Sequence, residues 1–566
     1  MKIISSTWLR GLLRSNVAIL LVGVMVAVLP VAMQAPQRAN AATMTGFTQV
    51  GVGTDFTCGL KTDGTVWCWG ANGYGQLGDN TTTSRVLPGK VTGLTGVSQL
   101  SVGYEMACAL KTNGTVACWG SNAWGQLGDG TLTNRTTATD VLNLSNVTQI
   151  AAKVWHVCAL LGDQTVRCWG RGNNHQLGDG LGVSQSTPVQ ASDLTGVLQV
   201  DVGGAHSCAL LSNREMRCWG QGSVGQLGNG TTTSMTSTKT SPTGISGVSK
   251  LGTGETPCVI LNPSASVKCW GTNGNYQLGD GSTFTRLSPH PIGGFVATVV
   301  SIDNGAVGGC AALSNGKAMC WGAGSRGMIG DGGGTTRTVP TLVSGITNVS
   351  AVSSGYWHRC AVLTDTSIKC WGDNPVGQLG DGTTTRALTP VSVAAPPGLA
   401  TPTSVTATAT ASTLKSIDVS WNAVANTSSY TVKLYNSAGA TVLATQTGLT
   451  ATSTTVTSAQ YASIADNTNY KLSVTAISGS SNYVDSSESA QVSVTTNSLA
   501  ATPNISGQPV AASLTAGQPV TFSVTASVTD GGTLSYQWLK NGSLIPSATS
   551  SSYTIICCPG ITQISR

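Results

Sequence analysis

The chemistry open to this chain begins with its cysteines. Fourteen of the sixteen fall in seven pairs: Cys58 with Cys68, Cys108 with Cys118, Cys158 with Cys168, Cys208 with Cys218, Cys258 with Cys269, Cys310 with Cys320, and Cys360 with Cys370. Nine residues separate the members of each pair, ten in the fifth. Paired thiols can hold a metal or oxidise to a disulfide. A zinc site wants closer spacing, such as C-x2-C, and usually histidine partners. Nine intervening residues fit the two arms of a β-hairpin. In the second pair a three-residue loop centred on Asn113 sets Lys111 opposite Thr115, Leu110 opposite Val116 and Cys108 opposite Cys118. Gly114 takes the left-handed position such loops favour. If 111 and 115 are the hydrogen-bonded closing pair, alternation makes 108 and 118 a non-hydrogen-bonded pair, with Cα atoms about 4.5 Å apart. A disulfide accepts that separation. Each hairpin is expected to carry its own cross-strand disulfide, and no metal.

The remaining chemical candidates read as structural. His156, His206 and His358 each stand two residues before the first cysteine of a pair. A histidine ring could bind metal, but these come from units three, four and seven, so they are not all neighbours. Hydrogen bonding is the expected role. Gln-Leu-Gly-Asp variants recur at Gln76, Gln126 and Gln378. A calcium loop needs several oxygen ligands at alternating positions, whereas one Asp appears per copy. Glycine for positive φ and Asp as a turn cap explain the motif. No Ser-His-Asp order or paired-carboxylate pattern stands out, so no catalytic residue and no cofactor are assigned.

What positions these groups is a repeat. Trp-Gly recurs at Trp69, Trp119, Trp169, Trp219, Trp270, Trp321 and Trp371, at spacings of 50 or 51. That period belongs to propeller blades. Within one unit, Val97 to Val102, Ala107 to Lys111, Thr115 to Trp119 and Thr137 to Leu142 read as four strands, with a Gly-rich loop after the third. The recurring Trp is expected in the core. The fold class expected is all-β: a seven-bladed β-propeller over 44–395, followed by β-sandwich domains. The strand Ala387 to Val393 is expected to complete the blade begun at the N-terminus.

The unit CALKTNGTVACWGSNAWGQLGDGT (108–131) resembles the regulator of chromosome condensation repeat, most closely its extracellular bacterial branch, where cysteine pairs are common. The resemblance covers about residues 44–395 in seven copies and implies a seven-bladed propeller. It does not imply nucleotide exchange, because this chain has a secretion signal, cysteine staples and no evident insertion.

In an up-and-down blade, the loops after strands one and three emerge on one face. They carry Tyr104, Trp155, Tyr356 and Trp357 in the first loop type, and Tyr74 and Trp124 in the second, with Asp55, Glu105 and Glu255 among them. These positions vary while the framework recurs. Aromatics ringed by polar groups concentrate energy at protein interfaces, so these six rings are the candidate binding residues.

Composition fits a secreted protein. Charged residues make up only 9%. Four of the 29 basic residues lie in the first 41, which hold no acid, so the remainder carries 25 basic against 23 acidic residues. That balance gives no electrostatic reason to expect nucleic acid. Lys2, Arg10 and Arg14, the apolar run Val17 to Leu29 and Ala39-Asn40-Ala41 read as a signal peptide over 1–41. No transmembrane span is expected after its cleavage.

Pro396-Pro397-Gly398 reads as a linker. Residues 398–497 resemble a fibronectin type III sandwich, with Trp421 and Tyr470 as core anchors. Residues 501–566 resemble a truncated immunoglobulin-like domain, with strands at Pro519 to Val528, Ser535 to Gly542 and Ser552 to Ile555. Cys557 and Cys558 are read as incidental.

The function expected is a secreted, non-catalytic recognition protein. It is a monomeric propeller that binds an extracellular protein or a surface glycan through its aromatic face. Two alternatives are an inhibitor of a secreted enzyme, similar to propeller-type β-lactamase inhibitors, and a carbohydrate-active propeller enzyme.

Overall fold

The computed structural model describes residues 42–556, except 411–414, 463, 466, 480–482, 498–501, 511–516, 530–532 and 541. The expected signal peptide and the neighbours Cys557 and Cys558 lie outside the described residues. Every regular element among the described residues is a strand.

The repeat folds as its alternation dictates. Phe47–Val52, Phe56–Lys61, Val66–Gly70 and Arg85–Lys90 pair antiparallel in chain order. Six more four-stranded sheets follow in the same order, and these seven blades form a propeller. The two central strands of each blade meet at a tight turn. In the first blade Asp63 Oδ1 accepts the N–H and the hydroxyl of Thr65. In the second, Gly114 holds the expected left-handed conformation, φ 78°.

That turn sets Cys108 directly opposite Cys118, and the other hairpins do the same for their own cysteines. Cys58 is bonded to Cys68, Cys108 to Cys118, Cys158 to Cys168 and Cys208 to Cys218. Cys258 is bonded to Cys269, Cys310 to Cys320 and Cys360 to Cys370. Each pair has its Cα atoms 4.1 Å apart, slightly closer than the 4.5 Å expected of a non-hydrogen-bonded site. The fifth hairpin absorbs its extra residue in the turn, so Cys258 still faces Cys269. All fourteen cysteines are fully buried.

Three repeated contacts bind blade to blade. Each Trp of Trp-Gly is buried and donates its indole N–H to a loop carbonyl of the preceding blade, at 2.9–3.1 Å. Trp69 does so to Gln378 of the last blade, at 3.0 Å, which closes the ring. The turn between the central strands supplies a second link: Val97 N–H donates to Gly64 O, and Phe47 N–H donates to Thr366 O. The inner strands supply the third. Gln49, Gln99, Gln149 and Gln199 each accept a backbone N–H of the next blade, from Leu100, Ile150, Val200 and Leu251.

Closure therefore differs from the strand exchange expected of Ala387 to Val393. Ala387–Ser392 is the outer strand of its own, seventh blade and pairs with Ile368–Gly372. The first blade already owns four strands. The ends meet by packing instead. Thr43 bridges Ala394, and Val393 is buried with Met44, Phe47 and Trp69 in a core shared by blades one and seven.

After the ring, a three-stranded sheet (Thr406–Thr410, Ser416–Ser420, Ser453–Thr457) faces a four-stranded one (Val442–Leu449, Thr427–Tyr435, Asn469–Ser478, Val492–Thr495). Trp421 and Tyr470 are buried between them, as expected. Tyr470 Oη accepts the N–H of Ala465 at 2.8 Å, the tie that fixes a sandwich corner.

The stretch Pro396 to Gly398 is not a free linker. Val484 N–H donates to Pro397 O, and Val484 O accepts from Leu399 N–H. Val484 also packs against the core shared by blades one and seven.

Beyond residue 501, where a truncated immunoglobulin-like domain is expected, the described strands are short. The Trp-bearing strand Ser535 to Gly542 shrinks to Leu539–Lys540, and Pro519 to Val528 breaks into Pro519–Ser523 and Thr525–Ser527. These strands pair only two by two. Ala548 is the one buried hydrophobic among the described residues there. Trp538 and Tyr553 lie with ring centroids 6.1 Å apart.

Candidate aromatic face

The face is built on tight turns after each inner strand. Glycine opens most of them because neighbouring turns touch. A Cβ on Gly355 would lie 2.1 Å from Gly53 O, and one on Gly53 would lie 2.9 Å from Gly103 O. Backbone bonds join the same turns: Thr54 N–H donates to Tyr104 O, and Tyr356 N–H donates to Gly53 O. Blades seven, one and two thus present one continuous platform.

Counting three residues back from the first cysteine gives equivalent positions. They are Trp357 in blade seven, Asp55 in blade one, Glu105 in blade two and Trp155 in blade three. The corresponding residues of blades four and six are Ala205 and Val307. Blade five carries Glu255 at this position, so charge is found on both sides, but the two tryptophans lie on one arc and flank Asp55 and Glu105.

Five of the six candidate rings are joined. Tyr104 meets Trp155 edge-on at 6.3 Å and Tyr356 at 5.7 Å, and Tyr356 meets Trp357 at 4.2 Å. Arg171 links Trp124 to the rest, its guanidinium lying 4.9 Å from the Trp124 ring and 4.7 Å from the Trp155 ring. At the other end Arg326 covers Trp357 at 4.0 Å. Such stacking contributes about 0.5–1 kcal/mol at exposed sites. Tyr74, 44% exposed, makes none of these ring contacts. The sequence pattern did not single out Arg171. The one signal available was a basic residue immediately after the Trp-Gly of blade three.

The axis beneath is crossed by side chains. Tyr104 of blade two donates its hydroxyl to Glu255 of blade five at 2.7 Å. Burial and that carboxylate push the phenol far above its ordinary range. Lower down, Lys153 of blade three pairs with Asp303 of blade six at 3.2 Å. Arg359, fully buried, donates to the carbonyls of Gly355, His358 and Gly308. Burial lowers it to about 10, so it stays charged at neutral pH.

Asp373 answers both Arg326 and Arg386. Asp55 and Glu105 are different. Burial and then Asp373 raise Asp55, and burial and then Asp55 raise Glu105.

The histidines sit between blades, fully buried. His156 Nε2 lies 2.9 Å from Ser207 Oγ of the next blade, and His358 Nε2 lies 2.7 Å from Thr57 Oγ1 of blade one. The position that should serve His206 is Pro257, which has no hydroxyl, and His206 Nε2 is left without a partner. A buried unsatisfied nitrogen costs about 1–3 kcal/mol. Replacing Pro257 with Ser should recover about 1 kcal/mol, read as a melting temperature raised by a few degrees. An unchanged or lowered value would show that the hydroxyl does not reach His206.

The Gly-rich loops knit themselves together. Asn72 donates to Asp79 and accepts from Leu77 N–H, and Asp79 accepts from Thr81 and pairs with Arg85. The same set recurs at Asn122/Asp129/Arg135 and Asn273/Asp280/Arg286. Each Asp is thus occupied as a turn cap. Among the described residues no group of three or more His, Cys, Asp or Glu is placed to hold a metal.

Two models of the regulator of chromosome condensation (RCC1) repeat match this chain. One covers 63–110, 113–160, 165–210 and 315–362, and the other covers 47–76, 97–126, 147–176, 197–226 and 349–378. Those segments match RCC1 repeats. Neither model reaches the fifth blade, whose first turn is one residue shorter and whose hairpin holds Asn262-Pro263. Yet that blade keeps its four strands, its disulfide and Trp270.

The structure of human WBSCR16 is 22% identical, with a TM-score of 0.52, over 60% of this chain and 96% of that one. That likeness shows the fold. Prp20p from Saccharomyces cerevisiae, described with its binding to Gsp1p and histones, is 22% identical over 55% of this chain and 80% of that one, with a TM-score of 0.49. A Fn3-like protein from Clostridium thermocellum is 27% identical over 18% of this chain and 97% of that one, with a TM-score of 0.15.

Proposed function

We propose that this chain is a secreted, non-catalytic recognition protein whose RCC1 propeller holds a protein partner on the aromatic arc. One observation carries the reading: Trp124, Trp155, Tyr104, Tyr356 and Trp357 are joined through shared ring contacts and Arg171. The turns that carry Tyr104 and Tyr356 are each joined to the first-blade turn by a backbone bond. Rings held in place lose little freedom on binding, which is what an energetic centre of an interface requires.

Proteins built from this repeat typically bind other proteins. Two clefts of about 310 and 320 Å³ lie elsewhere, one at Ser249–Lys250 and Asn262–Pro263, the other between Trp67, Lys90 and Tyr483. A broad arc suits a macromolecule better than an enclosed small ligand. The seven buried disulfides fit an oxidising, extracellular setting. No helix among the described residues is long and apolar enough to cross a membrane.

The test is capture of partners by the full chain from the medium of the producing cells. Replacing Trp124, Trp155 and Trp357 together by Ala should weaken the captured partner by about a hundredfold or more, with the disulfides intact. Retained affinity would overturn the reading.

A further inference from the structure

We infer that the partner enters the arc with a basic side chain, Arg or Lys, seated on Asp55 and Glu105 between Trp357 and Trp155. This rests on the reading above and names the chemistry of its partner.

Position supplies the first argument. Four consecutive blades offer, at one equivalent site, the order Trp357, Asp55, Glu105, Trp155. Two carboxylates stand flanked by two large rings.

Charge supplies the second. The other acids around the arc and axis are answered within the molecule: Asp373 by Arg326 and Arg386, Asp303 by Lys153, Glu255 by the Tyr104 hydroxyl. Among the described residues the Asp55 carboxylate accepts only the Gln378 amide, at 3.3 Å. Neither Asp55 nor Glu105 forms an ion pair among the described residues. Both are half-buried and shifted upward, Asp55 by burial and then Asp373, partly offset by Arg326, and Glu105 by burial and then Asp55. A cation arriving from outside relieves both burial and repulsion.

The rings themselves supply the third. The molecule already lays guanidinium groups on them: Arg171 touches Trp124 and Trp155, and Arg326 covers Trp357. An incoming Arg or Lys stem would lie among surfaces that take cations well.

The probe is a phage-displayed library of random dodecapeptides, panned on the full, disulfide-bonded chain. Recovered peptides should share one Arg or Lys. Their affinity should fall about tenfold or more on the variant D55N/E105Q, since a charge-assisted contact is lost, and also on W155A/W357A. Peptides that need the tryptophans but carry no shared basic residue, or that bind D55N/E105Q as well as the parent, overturn this inference and leave the aromatic face standing. Peptides indifferent to both variants, or no recovered peptide at all, overturn the face as well. Melting temperature and thiol content of each variant separate lost contacts from lost folding.

Discussion

Full reduction of the disulfides is expected to leave the propeller unfolded at room temperature. Each bond, from Cys58 with Cys68 to Cys360 with Cys370, closes a loop of 10 or 11 residues across the centre of a blade. By the chain-entropy model such a loop contributes about 2–3 kcal/mol. Seven together, even at half that value each, match the roughly 5–15 kcal/mol by which a domain is stable at all. The bonds are also fully buried, so a reductant reaches them only when a blade opens. Without denaturant the native chain should therefore show no free thiols at the fourteen paired positions. With denaturant and reductant all sixteen cysteines should become reactive. The measurement is the denaturant midpoint before and after reduction. A reduced chain that keeps its midpoint would mean that the indole and glutamine links hold the ring unaided.

Acid is the second lever. Burial lowers His156 and His358 to about 3 and His206 to about 4. Unfolded, each returns to about 6.5. The unfolded chain therefore binds more protons between those values, and stability falls as pH drops through 6.5. At pH 5 the loss is about 2 kcal/mol per histidine. Carboxylates held low by hydrogen bonds, such as Asp129 and Asp280, lose their contribution only nearer pH 4. The raised Asp55 and Glu105 act in the opposite sense, so they cannot mimic the drop. The window from pH 7 to 5 thus reads the three imidazoles.

Phe56 and Met106 occupy the same position in blades one and two, so Met can stand in for His. The substitution His206→Met should remove about a third of the drop in melting temperature. Equal melting temperatures at pH 7 and 5, or an undiminished drop in the variant, would contradict the assignment.

The sequence spoke most clearly where one residue type met one geometric demand. Cysteines nine residues apart with a tight turn between them fit across a hairpin, and Cys108 with Cys118 sits there. Trp-Gly at a constant period marked the core because a large ring must be buried in every blade. The face was half legible. Loop order placed Tyr104, Trp155, Tyr356 and Trp357 on one side, but which rings touch depends on residues from different blades. Arg171 reaching back to Trp124, and Glu255 crossing the axis to Tyr104, are joined by ring curvature and leave no trace in spacing. Closure was misread for a related reason. Ala387–Ser392 looks the same whether it serves blade seven or blade one, and its pairing with Ile368–Gly372 decides between them. Past residue 501, alternation located strands at Pro519–Ser523 and Ser552–Ile556 but not their exact bounds.

Closure by packing means that the ring has no privileged seam. Ala395 N–H donates to Ala42 O, so the entering and departing backbones run side by side. The order in which the blades are translated is then arbitrary, and a circularly permuted gene, cut at any bottom connection and joined at 42 and 395, encodes the same toroid. For the same reason the whole ring can be spliced as a cassette into a surface loop of another protein, because its two ends ask for a gap no wider than a pair of adjacent strands.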